Sequence, residues 1–156
     1  MRRSLFVLTL IGGVLAATAA VAESPGGHMM VKPTDVKWAD GPPSLPPGIK
    51  FAVIEGDLTK PVPFTFRIKA PANYKVAPHW HPAIEHVTVL SGVFNIGMGE
   101  EFDTKKLTPM PAGSFTFMQP KTPHFVLITE ETIIQVHGVG PWGLTYVNPA
   151  DDPRKK

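Results

Sequence analysis

The most informative part of this chain is Pro-His-Trp-His-Pro-Ala-Ile-Glu-His, at positions 78–86. Alternate side chains of a β-strand share one face, so His79 and His81 project to the same side. Two imidazoles about 6.6 Å apart along a strand can converge on one ion at roughly 2.1 Å from each nitrogen. On a straight strand Glu85 would lie about 13 Å beyond His81, out of reach of that ion. Because proline interrupts a strand, we expect Pro82 to turn the chain and bring Glu85 back.

Two other interpretations apply to this segment. Helical zinc peptidases carry His-x-x-x-His or His-x-x-Glu-His, but His81 and His86 enclose one residue too many, and Pro82 disfavours a helix. The plainer alternative is a polar strand whose histidines lie on the surface by chance. His86 directly follows Glu85 and is expected to face away from the ion.

A fourth candidate ligand, His124, follows a proline-containing break at 119–123. With it, the sequence resembles the cupin superfamily, whose first motif reads G-x5-H-x-H-x3-E-x6-G. The positions of that motif are occupied, with every spacing kept, by Asn73, His79, His81, Glu85 and Gly92. The second motif places a histidine after Pro-x-Gly and a strand, and its counterparts here are Pro111, Gly113 and His124.

Two positions depart from the cupin motifs. Asn73 stands for the leading Gly, and Asn is the residue best able to replace glycine at a positive φ. Ile128 replaces the terminal Asn of the second motif, which costs a structural hydrogen bond and not a ligand. All four ligand positions are therefore occupied.

The resemblance implies an all-β fold: a small double-stranded β-helix, or jelly-roll barrel, as in small single-domain bacterial cupins of the conserved-barrel type. It also implies that one divalent transition-metal ion (Fe, Mn, Cu, Ni or Zn) is bound by His79, His81, Glu85 and His124. Imidazole and carboxylate ligands suit these metals better than Ca or Mg. Four protein ligands can leave positions open for water, substrate or dioxygen.

The rest of the sequence is typical of a β-rich domain. It contains 18 Pro, 14 Gly and no Cys, which excludes disulfides and thiolate metal sites. About nine short runs of β-branched and aromatic residues, separated by turn residues, lie between Lys50 and Val147. Residues 99–108 are polar and have room for one helical turn, but are predicted to form a loop.

The N-terminus has the three parts of a secretory signal peptide: a basic start, an apolar run over Leu5–Leu15, and Ala20-Val21-Ala22. We predict that residues 1–22 are cleaved off after Ala22, with export to the periplasm or the medium by the general secretory or the twin-arginine route. The mature chain then keeps no membrane anchor. We expect an extended, Pro-rich arm at residues 23–49, the barrel at 50–150, and a solvated charged tail at 151–156.

The net charge and the need to cover exposed strand edges limit the partners that the chain is expected to have. Cleavage removes Arg2 and Arg3 and no acid, so 15 basic residues become 13, equal to the 13 acidic ones. No basic stripe remains, which argues against nucleic acid and leaves a small-molecule ligand or substrate. Short barrels commonly cover open edges with a second subunit, so we also expect a homodimer, with strand-like Asp35–Trp38 covering an edge in cis or in trans.

These features favour a metal-dependent oxidoreductase of the dioxygenase type that acts on a small organic substrate, with no catalytic acid, base or nucleophile identified. The alternatives are a non-catalytic module that binds metal or a small ligand, a cupin isomerase or lyase, and a seed-storage-like protein. Gln135 and His137 share one strand face and either line the substrate pocket or lie on an exposed sheet face. Trp142 is assigned to packing.

Overall fold

The computed structural model describes residues 27–156; the predicted signal peptide lies outside the described residues. All features below belong to the compact unit Val31–Lys156. Its strands are, in chain order, β1 (Ala39–Asp40), β2 (Lys50–Glu55), β3 (Pro63–Ala70), β4 (Tyr74–Trp80), β5 (Glu85–Ser91), β6 (Val93–Met98), β7 (Thr108–Pro111), β8 (Phe115–Met118), β9 (His124–Ile128), β10 (Thr132–Val139) and β11 (Thr145–Tyr146). Within this part of the chain, no helix has the length and apolar character needed to cross a membrane.

The strands form two antiparallel sheets. The six-stranded sheet has the order β1-β2-β3-β10-β5-β8, and the five-stranded sheet has the order β11-β4-β9-β6-β7. The chain crosses from the five-stranded to the six-stranded sheet between β4 and β5, and returns with β6. Such crossings between two antiparallel sheets make a jelly-roll barrel, so the predicted all-β cupin fold is confirmed.

One apolar core lies between the two sheets, because alternate residues of each strand turn inward. In β10, Ile134 and Val136 are buried while their neighbours are not. Phe64 and Phe66 of β3 are almost fully buried, and their ring centroids are 5.7 Å apart. Truncating such a phenylalanine to alanine costs about 3–5 kcal/mol.

The residues at both ends of the first cupin motif have a positive φ. Asn73, between β3 and β4, has a φ of 61°, the conformation for which Asn was expected to replace glycine. Gly92, between β5 and β6, has a φ of 74°. A Cβ at Gly92 would lie 2.5 Å from both the Glu131 carbonyl oxygen and Thr132 Oγ1. Glycine is therefore required at position 92 for two reasons: the positive φ and the lack of room for a Cβ atom.

Gly92→Ala is expected to lower the free energy of unfolding by about 3 kcal/mol, since backbone strain and a steric clash add together. Gly113→Ala is the matched control, because Gly113 also has a positive φ, 89°, but a Cβ there would meet open space. We expect the control to cost only about 1 kcal/mol. Urea unfolding measures both, and equal losses would contradict the steric argument.

Residues 99–108 form a connection that contains one helical turn, the alternative that the sequence left open. Thr104–Lys106 form a 3-10 turn, and the Asp103 side chain accepts a hydrogen bond from the Lys105 backbone nitrogen. The segment runs into β7, which pairs with β6 at the edge of the five-stranded sheet. Pro109 lies in this strand, and an edge strand tolerates the missing backbone donor.

The two ends of the described unit make local contacts. The predicted strand Asp35–Trp38 is wrong: Pro33–Asp35 form a 3-10 turn, and Ala39–Asp40 pair with β2 in cis. In the C-terminal tail, residues 154–156 are exposed, and Arg154 donates two hydrogen bonds of 2.7 Å to the buried Asp152.

Candidate metal centre

Three histidines on neighbouring strands of the five-stranded sheet form a buried cluster. His79 lies in β4, His81 follows the end of β4, and His124 begins β9, opposite His79 in the ladder. The ring centroid of His79 is 4.3 Å from that of His124 and 5.0 Å from that of His81. One nitrogen of each ring lies within 4.8 Å of the other two. The group can therefore hold one metal ion.

Each ring is oriented by a backbone carbonyl. The Nδ1 atom lies 2.8 Å from the Ala77 oxygen in His79, 2.7 Å from the Gly143 oxygen in His81, and 3.0 Å from the Thr122 oxygen in His124. A carbonyl oxygen only accepts, so each Nδ1 must carry the proton. In the neutral ring Nε2 is then left unprotonated, the form that binds a metal.

Glu85 reaches the cluster from the opposite sheet. After the bend at Pro82, Glu85 is the first residue of β5 and is buried. Its Oε2 atom lies 3.2 Å from Nε2 of His81 and 3.7 Å from Nε2 of His124. The turn expected at Pro82 thus brings the four residues selected from the sequence into one cluster.

Burial and charge set the protonation of the cluster. Burial, together with His124 and His81, lowers the pKa of His79 well below its ordinary value. Burial also lowers the pKa of His124, against the attraction of Glu85. For His81 the effect of burial is outweighed by the Glu85 carboxylate, and the pKa is raised. Burial likewise acts to raise the pKa of Glu85, but His81 holds it below its usual value.

Metal affinity is expected to rise with pH through the titration of His81. A proton and the ion compete for Nε2 of this ring, because only a neutral imidazole binds metal. With its pKa raised above the ordinary 6.5, His81 holds a proton at a higher pH than a free histidine would. Competition titrations with a chelator between about pH 6 and pH 8 measure the slope. An affinity that is constant over this range would contradict the expectation.

Trp142, in the connection between β10 and β11, belongs to this cluster and was not identified from the sequence. Its Nε1 atom donates a hydrogen bond of 3.2 Å to Oε1 of Glu85. Its ring stacks on His81, with centroids 5.2 Å apart and planes at 20°. Trp142 therefore orients two of the four residues. Its position belongs to neither motif, so the pattern held no signal for it.

The cluster opens into an internal chamber of about 60 Å³. Apart from the four residues, the lining is mainly apolar and comes from both sheets, as with Val87 of β5 and Val126 of β9. The only charged side chain in the lining is Glu85; the described residues place no lysine or arginine there.

The structure places Gln135 and His137 on the outer face of β10. The alternation that turns Ile134 and Val136 inward turns these two outward. Gln135 accepts a hydrogen bond from Nε of Arg67 at 3.0 Å, and His137 stacks on His86 with centroids 4.8 Å apart. Neither lines this chamber, and of the two alternatives given for these residues the structure places them on the sheet face. His86 faces outward, as expected.

A family model described as the ChrR cupin-like domain matches residues 26–142. The chain belongs to the ChrR cupin-like family. Both cupin motifs of this ChrR cupin-like chain, from Asn73 to His124, lie within the matched residues. The cupin resemblance drawn from motif spacing is therefore confirmed. No curated protein matches the sequence.

Several solved structures share the fold of this ChrR cupin-like chain. A candidate acetylacetone dioxygenase from Methylibium petroleiphilum is 16% identical with a TM-score of 0.62, over 85% of this chain and 89% of that one. The polyketide cyclase RemF from Streptomyces resistomycificus is also 16% identical, with a TM-score of 0.62, over 82% and 91%. Salicylate 1,2-dioxygenase from Pseudoaminobacter salicylatoxidans, solved with gentisate, is 13% identical with a TM-score of 0.54, over 67% and 30%. At these identities the likeness shows the fold alone.

Proposed function

We propose that this ChrR cupin-like protein binds one divalent transition-metal ion through Nε2 of His79, His81 and His124 and the carboxylate of Glu85. The observation that carries the proposal is the set of three backbone carbonyls that fix Nδ1 of each ring as the protonated nitrogen. Three buried imidazoles that each place one nitrogen within 4.8 Å of the other two suit a transition metal and no harder cation.

We further propose that the bound ion supports an oxidoreductase reaction of the dioxygenase type. When bound, a redox-active ion with open coordination positions supplies a place where dioxygen or a small substrate can bind. The chain's own contribution is to surround the site with mainly apolar side chains and to hold the carboxylate through Trp142. Two of the fold neighbours carry dioxygenase names, which supports this reaction class without establishing it.

The chamber lining favours this class over a cupin isomerase or lyase. Those reactions need a side chain that moves a proton to or from the substrate. Among the described lining residues, the titratable ones are the four proposed ligands and Tyr74, whose hydroxyl already donates to the Pro46 carbonyl at 2.6 Å. A reaction supported by the ion itself needs no such group.

Oxygen uptake tests the proposal. The protein is loaded in turn with Fe²⁺, Mn²⁺, Cu²⁺, Ni²⁺ and Zn²⁺ and offered uncharged substrates graded in size, from glyoxal and methylglyoxal through acetylacetone to catechols and flavonols. We expect uptake with a redox-active ion and none with Zn²⁺, which has no redox chemistry. The His86→Ala variant is the control that should retain activity, because its ring faces outward. No uptake with any ion would remove the dioxygenase assignment.

A non-catalytic metal-binding module is the second candidate, favoured by the small volume of the chamber. The two candidates differ in the open coordination positions. If the protein is an enzyme, water on bound Mn²⁺ should exchange rapidly, as measured by proton relaxation. If the ion is coordinatively saturated in a non-catalytic module, this exchange should be absent.

We also propose that the protein acts outside the cytoplasm after removal of residues 1–22. We expect exported protein to begin at Glu23, since Ala20-Val21-Ala22 has the small residues that signal peptidase requires. Intact mass of protein recovered from the periplasm or the medium checks this, and a mass that retains residues 1–22 would contradict it.

A further inference from the structure

Residues 41–49, here called the strap, close one side of the chamber. This segment belongs to the extended arm predicted from the sequence. Two of its side chains are buried: Leu45 with 7% exposure and Ile49 with 2%. Both line the chamber together with the three histidines, although the sequence pattern placed this segment outside the barrel. Pro43, Pro47 and Gly48, by contrast, are exposed. The strap is thus a surface segment that inserts two side chains into the ligand space.

Leu45 is held in place by hydrogen bonds on both sides. The Tyr146 hydroxyl donates to the carbonyl oxygen of Ser44 at 3.0 Å, and the Tyr74 hydroxyl donates to that of Pro46 at 2.6 Å. The backbone nitrogen of Leu45 donates to the Pro42 carbonyl at 3.0 Å. Both tyrosine rings are buried in the barrel, so the fold fixes the depth at which Leu45 enters the chamber.

Tyr146, one of the two tyrosines that hold the strap, lies close to the three-histidine cluster. Tyr146 pairs with His79 in the ladder between β11 and β4, and their ring centroids are 6.1 Å apart. The chamber that remains beside Leu45 measures about 60 Å³, whereas a dry apolar cavity that binds benzene in a protein measures about 150 Å³. Its one charged lining residue, Glu85, already faces His81.

We propose that Leu45 is a specificity-determining residue that restricts the ligand of this site to molecules smaller than a benzene ring. The inference deepens the proposed function, because the ligand it selects is the one that reaches the proposed ion. Aromatic molecules are excluded by the volume next to Leu45.

The test compares benzene binding, by calorimetry and by NMR, to the native chain and to its Leu45→Ala variant. We expect no saturable binding to the native chain and at least about tenfold tighter binding to Leu45→Ala, because truncation leaves a cavity that adds to the chamber. Leu127→Ala is the matched control, since half-buried Leu127 does not line the chamber. Native binding equal to that of Leu45→Ala, or exclusion of benzene by a folded Leu45→Ala variant, would overturn the inference.

Gentisate, which is larger than benzene, provides a second probe of size in the same experiment. We expect it to bind neither protein, and saturable binding of gentisate inside the chamber of the native chain would overturn the size restriction. The metal content of each sample is measured in parallel. If the protein binds no metal but benzene binds only to Leu45→Ala, the proposed function is refuted and the role of Leu45 stands. If the protein is fully loaded with metal but benzene binds equally to both proteins, the role of Leu45 is refuted and the proposed function stands.

A second pair of variants covers the case in which Leu45→Ala does not fold. Tyr74→Phe and Tyr146→Phe each remove one hydroxyl and keep the ring. Each is expected to raise hydrogen exchange at the Leu45 amide about fivefold, the value of one net hydrogen bond, with no change at amides of β10. Unchanged exchange in both variants would show that the hydroxyls do not hold Leu45.

Discussion

Replacing His79, His81 or His124 with Ala is expected to weaken metal binding by at least about 100-fold, because each substitution removes one of three strong nitrogen ligands. All three rings are buried and oriented by carbonyls, and among the described residues the chamber lining holds no further histidine. The metal-to-protein ratio by elemental analysis and the Kd by chelator competition measure the loss. Native protein should also melt at a higher temperature with metal than without it, and the variants should lose this difference.

His86→Ala is the matched control for these variants. It removes an imidazole from the same short segment, but one that stacks on His137 outside the barrel. Its metal content should therefore equal that of the native protein, while circular dichroism confirms that all variants fold. If His79→Ala and His124→Ala kept full metal content and His86→Ala lost it, the assignment of inward and outward faces would be wrong.

The cluster could be predicted because local rules determine most of it. Strand alternation places His79 and His81 on one face, and a proline after His81 forces the turn that returns Glu85. His124 was selected through the resemblance to the cupin motifs, and the structure places it opposite His79 in the ladder. The placement of His79, His81 and Glu85 is a short-range consequence of chain geometry, which a sequence displays directly.

The neighbours of the cluster could not be predicted, because they arrive by long-range packing. Trp142 contacts Glu85 only once β10 and β5 are paired, and Leu45 enters the chamber only because two tyrosines from distant strands hold the strap. The alternation of residues along β10 predicted two faces of the strand but did not show which face points into the barrel. Ile133 and Ile134 are both apolar, so hydrophobicity did not decide the orientation of Gln135.

Glu85→Gln is expected to weaken metal binding by about 10- to 100-fold at neutral pH, since the amide keeps the shape of the side chain but loses its negative charge. The same change removes the attraction that raises the pKa of His81, so burial then acts on that ring against only the Gly143 hydrogen bond and lowers its pKa. A proton therefore competes less with the metal in the variant. The loss of affinity should for this reason be smallest at low pH and grow as the pH rises and native His81 also loses its proton.

Trp142→Phe separates the charge of Glu85 from its orientation. This variant keeps the carboxylate and the aromatic contact with His81 but removes the donor to Oε1 of Glu85. We expect a loss of affinity of about tenfold or less, with the native pH slope retained, since the Glu85–His81 pair stays charged. Chelator competition at several pH values resolves both curves. A native-like affinity in Glu85→Gln beside a large loss in Trp142→Phe would mean that Trp142 acts on the histidines directly, and that the carboxylate is not a ligand.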